Sequence, residues 1–322
     1  MSLESIRALV QSDLIATDTF ICTELRSDIP LINQLVEYIL SAGGKRIRPL
    51  VVLLTAKALG HSDQKHIDLA AAIELVHTAT LLHDDVVDSS TLRRGNKTAN
   101  NIWGNESSVL VGDFLYSRAF QLIVKLQHLD ILTIFANATN LIAEGEILQL
   151  INCHDPDTTE QSYYDVIQRK TAKLFEVASQ IGTALCDHTA PQMKAMQSYG
   201  LNLGIAYQLI DDVLDYSSSA EEMGKNMGND LSEGKPTLPL IYALQKGTPA
   251  ESALLRQAIE TGSTDHLDSI LTIIESTGAI EYTASAAKRY AELATESLTH
   301  LPESPYQHAM HELAQFVVAR KY

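Results

Sequence analysis

The stretch Ile67-Asp68-Leu69-Ala70-Ala71-Ala72-Ile73-Glu74-Leu75-Val76-His77-Thr78-Ala79-Thr80-Leu81-Leu82-His83-Asp84-Asp85-Val86-Val87 decides the fold class. Its apolar residues recur at 67, 70, 71, 73, 75, 76, 79, 81, 82 and 86, too broadly for one amphipathic stripe. A helix apolar most of the way round belongs in the middle of a large helical protein. Outward from it, helical patterns cover 109–126, 131–151, 163–185 and 191–216. Shorter, more surface-like ones cover 250–261, 266–277, 280–298 and 304–320. Thr189 stands as an N-cap just before Pro191, and Gly43-Gly44, Gly60 and Gly247 sit where helices should stop. No strand alternation is sustained over several segments, and no internal repeat or low-complexity linker interrupts the chain. The expectation is one all-α domain spanning 1–322.

Composition narrows the function. Lys and Arg total 24 against 40 Asp and Glu, a net charge of −16, which excludes a nucleic-acid binder relying on a basic surface. The same balance stands, at first sight, against any polyanionic substrate. Cys22, Cys153 and Cys186 lie far apart without a CxxC pair, so neither a disulfide framework nor a structural zinc site is expected. Residues Met1 to Ser5 lack the basic and apolar regions of a signal peptide. Uninterrupted apolar runs such as 50–54 fall short of the roughly 18 residues that span a bilayer. A soluble, cytoplasmic protein without a membrane span is therefore expected.

Chemistry concentrates in two acid clusters. Asp84 and Asp88, in Leu82-His83-Asp84-Asp85-Val86-Val87-Asp88, are i,i+4 neighbours on one helix face. Leu209-Ile210-Asp211-Asp212-Val213-Leu214-Asp215 repeats the arrangement far downstream. Unpaired carboxylates this close repel one another and are costly to bury. A hard divalent cation removes the conflict, and Mg2+ takes one or two carboxylates together with waters and substrate phosphates. A single DDxxD is equally well a solvated helix end; two, each preceded by apolar residues, point to a two-cluster metal site. His77, seven residues before Asp84, shares its angular position, either as part of that face or as a satisfied core histidine. Gln208 precedes Asp212 by four residues and reaches the second acid face.

The scarce cations are also grouped. Gly43-Gly44-Lys45-Arg46-Ile47-Arg48-Pro49 puts three of them at the start of a helix, where backbone N–H groups already favour phosphate. Arg93 and Arg94 follow the first acid cluster, Lys170-Thr171 lies on a helix, and Lys225 and Lys235 flank Gly228-Asn229-Asp230. A solvated charged face is the plainer alternative for each. Together the segments describe a diphosphate held through Mg2+ and cations, with a hydrocarbon tail among apolar helices.

These residues resemble the trans-isoprenyl diphosphate synthase (polyprenyl synthetase) family, and within it the long-chain bacterial branch making octaprenyl diphosphate. The resemblance covers nearly the whole chain. It rests on 43–49, His77 to Gly95, Gly112-Asp113-Phe114, Gly145-Glu146, Lys170-Thr171, 208–215 and Gly234-Lys235-Pro236-Thr237-Leu238-Pro239. It implies an antiparallel helical bundle around a deep central cavity, a homodimer, and three Mg2+ ions with substrate bound. Asp84 and Asp88 would ligate Mg2+ with Asp85 nearby, and Asp211 would hold a further ion, supported by Asp212 and Asp215. Arg93, Lys170, Lys225 and Lys235 would bind the allylic diphosphate; Lys45, Arg48, His77 and Arg94 would bind isopentenyl diphosphate; Thr171 and Gln208 would sit beside the reacting carbons. The implied reaction condenses isopentenyl diphosphate onto farnesyl diphosphate, repeatedly, for quinone side chains.

Small Ala79 and Thr80, where short-chain members often carry an aromatic, would leave elongation open, with Leu122, Ile123 or Phe135 as a deeper floor. Ala79 fits simple helix packing equally well. Four rivals stand beside this reading. His83-Asp84 resembles the HD dyad of all-α phosphohydrolases, which predicts no second DDxxD. Terpene cyclases share the metal chemistry but lack the isopentenyl site implied by Lys45, Arg48 and Arg94. A shorter-chain farnesyl or geranylgeranyl synthase is a further alternative, and a non-catalytic subunit of a heteromeric synthase should have lost its acids. Arg320 and Lys321 either help close the site or form a solvated tail.

Overall fold

The 67–87 pattern folds as one helix, Lys65–Val87, and every residue from 69 to 76 is buried, Glu74 included. An all-round apolar surface can be satisfied only by protein on every side, and each buried Leu, Ile or Val contributes about 1.5–3 kcal/mol. The computed structural model describes residues 2–217 and 227–320; Lys225 and Lys321 lie outside them.

In chain order the helices are α1 (Leu3–Ala8), α2 (Gln11–Glu24), α3 (Pro30–Ser41), α4 (Ile47–Ala58), α5 (Lys65–Val87), α6 (Ala99–Trp103), α7 (Asn105–Lys125), α8 (Leu129–Asn152), α9 (Glu160–Ile167), α10 (Lys173–Ala184) and α11 (Ala190–Ser217). Shorter helices follow at Asn229–Ser232, Leu238–Lys246, Pro249–Thr261, Leu267–Ser276, Ala279–Ser297 and Pro305–Ala319. The fold is all-α. Thr189 caps α11 as the sequence suggests: its Oγ1 accepts from Gln192 N at 3.3 Å, while its own N donates to Gln192 Oε1 at 2.9 Å.

Contacts divide the chain into two units, each drawn from three segments. The first comprises Met1–Asn137, Leu174–Gly200 and Ser297–Leu313; the second comprises Ala138–Lys173, Leu201–Glu296 and Ala314–Tyr322. In the first, α5 packs against α7, α4 and α2, and α4 is buried from 49 to 56. Gly182 brings α10 down onto α4, since a Cβ there would lie 2.9 Å from Val52 O. In the second, Tyr163, Ile205, Leu209, Leu238 and Ile241 form one apolar cluster, and Leu231, Leu255, Ile259, Ile270 and Ile274 form another.

The structure differs from the sequence reading in three places. The helix expected over 163–185 is interrupted by a π-helical turn, Gln168–Ala172, between α9 and α10. A short hairpin, β1 (Leu92–Arg93) with β2 (Asn96–Lys97), follows α5; two residues per strand are too few for alternation to be visible. Helix α8 has mean hydropathy 1.2 and is long and apolar enough to cross a membrane by length and composition, although no long uninterrupted apolar run announces it. Its residues Ile131, Phe135, Ala138 and Ile142, spaced on one helical face, are nevertheless buried against protein.

Candidate active site

Helix α5 ends in a Schellman motif. Ser89, with φ 51°, donates from its N to Val86 O at 3.2 Å, and Ser90 N donates to Asp85 O at 2.9 Å. Asp84, Asp85 and Asp88 therefore stand on the last turn, where the helix dipole is already negative and carboxylates are disfavoured. Asp85 turns inward, 3% exposed, and takes Arg93 Nε at 2.8 Å and Nη2 at 2.7 Å. Burial disfavours the Arg93 charge, yet that hydrogen bond and the charges of Asp85, Asp84 and Asp88 hold its guanidinium above its ordinary pKa. Asp84 and Asp88 are only partly buried. Ahead of them, His83 reaches across to Asp113 at 3.3 Å; Gly112 makes room, since a Cβ there would lie 2.3 Å from His83 Nε2.

The cations of the first unit converge on His77. Arg48 Nη1 donates to His77 Nε2 at 3.1 Å, so the imidazole is an acceptor at that nitrogen. Burial, then Arg48, Arg94, Arg93 and Arg46, push the ring well below its ordinary pKa and keep it neutral. Arg48 also lies 4.4 Å over the Phe175 ring. Arg94 and Gly95, at φ 52° and 76°, are the two central residues of the hairpin turn. Arg94 Nη1 donates to Gly43 O, and a Cβ on Gly44 would lie 2.9 Å from that nitrogen, which gives the diglycine its reason. Arg46, at φ 48°, caps α4 and pairs with buried Glu74, whose carboxyl burial holds above its ordinary pKa despite Arg46. Lys45 stands just ahead of it, partly buried.

In the second unit the acids sit near the end of α11. Asp212 is 1% exposed and accepts from Tyr163 Oη at 2.5 Å and Gln208 Nε2 at 2.8 Å; burial, then the Asp230 charge, push its carboxyl well above the usual range. Gln208 Oε1 accepts from Thr171 Oγ1 at 2.9 Å. Asp215 Oδ2 accepts from Asp230 N at 3.2 Å, tying down the start of Asn229–Ser232. Asp211 pairs with Arg320 Nη2 at 2.8 Å; that guanidinium also donates to Tyr207 O at 2.5 Å and lies 3.7 Å over the Tyr207 ring. Lys170 pairs with Glu146 at 2.5 Å, and Lys235 with Glu233. The π turn carrying Lys170 and Thr171 rests against Gly145, where a Cβ would lie 2.7 Å from Lys170 N.

Of the residues singled out from sequence, the first unit brings together Asp84, Asp85, Asp88, Arg93, Arg94, Arg48 and His77. The second brings together Asp212, Gln208 and Thr171. Ala79, Leu122, Ile123 and Phe135 are core residues, 0%, 2%, 0% and 1% exposed, and Thr80 Oγ1 donates to His77 O at 2.8 Å. Arg320 is buried rather than part of a solvated tail. Sequence reasoning missed Tyr163 and Glu233 altogether, and cited Glu146 only within a motif; nothing in their spacing couples them to Asp212, Lys235 or Lys170.

Among the described residues, no group of three or more His, Cys, Asp or Glu side chains is placed to hold a metal unaided. A hard divalent cation needs no such group, since it takes one or two carboxylates and fills its shell with water and phosphate oxygen. The polyprenyl synthetase family profile matches residues 29–275. The chain is 49% identical over 321 residues, 99% of each chain, to the octaprenyl diphosphate synthase of Escherichia coli (strain K12). It is 44% identical over 318 residues, 98% of each, to an all-trans-nonaprenyl-diphosphate synthase (geranyl-diphosphate specific) of Rhodobacter capsulatus. It matches the structure of a polyprenyl synthase from Caulobacter crescentus CB15, complexed with calcium and isoprenyl diphosphate, with TM-score 0.96 and 41% identity over 100% of this chain and 98% of that one. Sequence kinship from end to end agrees with the acid and arginine clusters, and the chain belongs to the polyprenyl synthetase family, an enzyme among the prenyl diphosphate synthases.

Proposed function

We propose that the chain is a long-chain trans-polyprenyl diphosphate synthase that condenses isopentenyl diphosphate onto farnesyl diphosphate, repeatedly, to give octaprenyl diphosphate. One observation carries the reading: the first acid cluster, Asp84, Asp85 and Asp88, occupies the negative end of its helix, a placement that favours a bound cation. Asp84 and Asp88, and separately Asp211, hold Mg2+ ions, three with substrate bound. Bound Mg2+ neutralises charge on the leaving diphosphate. Arg93, Lys170, Lys225 and Lys235 bind the allylic diphosphate, and Lys45, Arg48, Arg94 and neutral His77 bind isopentenyl diphosphate. The allylic C–O bond breaks with its electron pair leaving on the diphosphate. The isopentenyl alkene then bonds to the allylic carbon, and a proton is lost to the released pyrophosphate. The enzyme works as a homodimer.

The test incubates purified protein with Mg2+, farnesyl diphosphate and labelled isopentenyl diphosphate, and sizes the products by chromatography. Octaprenyl product is expected, and Asp84→Ala should lower turnover by at least about a thousandfold. No elongation would sink the synthase reading. An active Asp84→Ala variant would remove that residue from the metal site.

A further inference from the structure

Thr171, Gln208, Asp212 and Tyr163 form one hydrogen-bonded line, and its direction is set by two donors that converge on Asp212. Gln208 turns its NH2 toward Asp212 Oδ1, at 2.8 Å, while Tyr163 donates to the other oxygen. The amide oxygen then faces Thr171, and the Thr171 hydroxyl must donate to it, at 2.9 Å. With its proton committed, Thr171 has only lone pairs to offer anything else near it. The far end of the line is Tyr163, whose Oη donates to the second Asp212 oxygen at 2.5 Å. Tyr163 is 5% exposed and is held in an apolar cluster by Ile205, Leu209 and Leu238.

We propose that Tyr163 is a positioning residue for prenyl transfer: by fixing Asp212 it fixes the Gln208 amide, and through it the orientation that turns the Thr171 lone pairs toward the developing allylic cation. The proposal rests on the synthase reading above, with Thr171 beside the reacting carbons. Tyr163 touches no substrate and acts only through the line. Without its hydroxyl, Asp212 loses its shortest hydrogen bond and rotates, and the Gln208 amide is no longer held in one of its two orientations. A preorganised dipole loses its value for the transition state when it must be reoriented during reaction.

The experiment is a double-mutant cycle on the full-length protein, read as kcat and KM for farnesyl and isopentenyl diphosphates. Tyr163→Phe should lower kcat about tenfold and leave both KM values within about twofold. Thr171→Val should lower kcat by at least as much, and the double variant should be no slower than Thr171→Val alone. Losses that multiply would make Tyr163 a packing residue and overturn the proposal, as would an unchanged kcat in Tyr163→Phe. Asp212→Asn provides a second reading of the same link should Tyr163→Phe fail to fold. The asparagine amide reverses the line, so its kcat loss should likewise vanish in a Thr171→Val background, and persistence of that loss would overturn the proposal. Elongation by the unmodified protein is the reference. Its absence defeats the synthase reading and this one together, whereas elongation with multiplying losses defeats the positioning role alone.

Discussion

An aspartate on the last turn of a helix meets the negative end of the dipole, and here three stand there together on α5. Their side chains divide the work: Asp85 is turned inward to hold Arg93, while Asp84 and Asp88 stay partly accessible. The same pairing of cation with acid recurs at Lys170–Glu146, Lys235–Glu233, Arg46–Glu74 and Arg320–Asp211. A net charge of −16 therefore sets no rule against a diphosphate substrate, because acids hold the cations in place. His77 carries a pH signature. The unfolded imidazole takes a proton near pH 6.5, while the buried ring, among arginines, resists one. Below that pH the unfolded state binds more protons, so stability is complete above about pH 6.5 and declines as pH falls. Urea midpoints at about pH 7.5 and 5.5 should differ, and His77→Gln should narrow the difference; an equal gap would clear His77. Burial shifts His66 the same way, so part of the slope should remain.

At the level of elements, the π turn Gln168–Ala172 and the Arg94-Gly95 hairpin turn do what regular helix cannot. A single inserted residue in a helix re-aims its neighbours, and here the re-aimed side chains are Lys170 and Thr171. Gly145 on α8 is the seat of that turn. In Gly145→Ala the new Cβ would stand 2.7 Å from Lys170 N and 2.8 Å from Arg169 Cβ, and backbone gives way less readily than a side-chain tip. A stability loss of about 1–3 kcal/mol is expected, with kcat falling more than in Gly112→Ala, whose clash is with the His83 ring alone. Urea melts and elongation rates on the two variants check this. Equal kcat values would show that the turn's seat is unimportant to the chemistry.

At the scale of the whole molecule, each unit is assembled from three separated segments, and each contains one acid cluster with its own cations. Product length is a property of this scale, since on the proposed reading it would be set by what lies beneath α5 rather than by any reacting group. Ala79→Tyr should shorten the product from octaprenyl toward farnesyl or geranylgeranyl lengths, read by chromatography of the dephosphorylated prenols. An unchanged product would make Ala79 a packing residue only, in keeping with its complete burial.

The helical class, the extent of α5, α7, α8 and α11, and the two acid faces were all legible in the sequence, because a 3.6-residue period and an i,i+4 spacing are local properties. Gln208 beside Asp212 was legible for the same reason. What only the tertiary structure decided is which acid does what. Asp85, Asp212 and Asp215 are committed to Arg93, Tyr163 and the Asp230 N–H, while Asp211 takes Arg320 from the far end of the chain. The spacing within DDxxD is the same whichever partner arrives. Those partners are brought in by long-range packing, which no short stretch of sequence encodes.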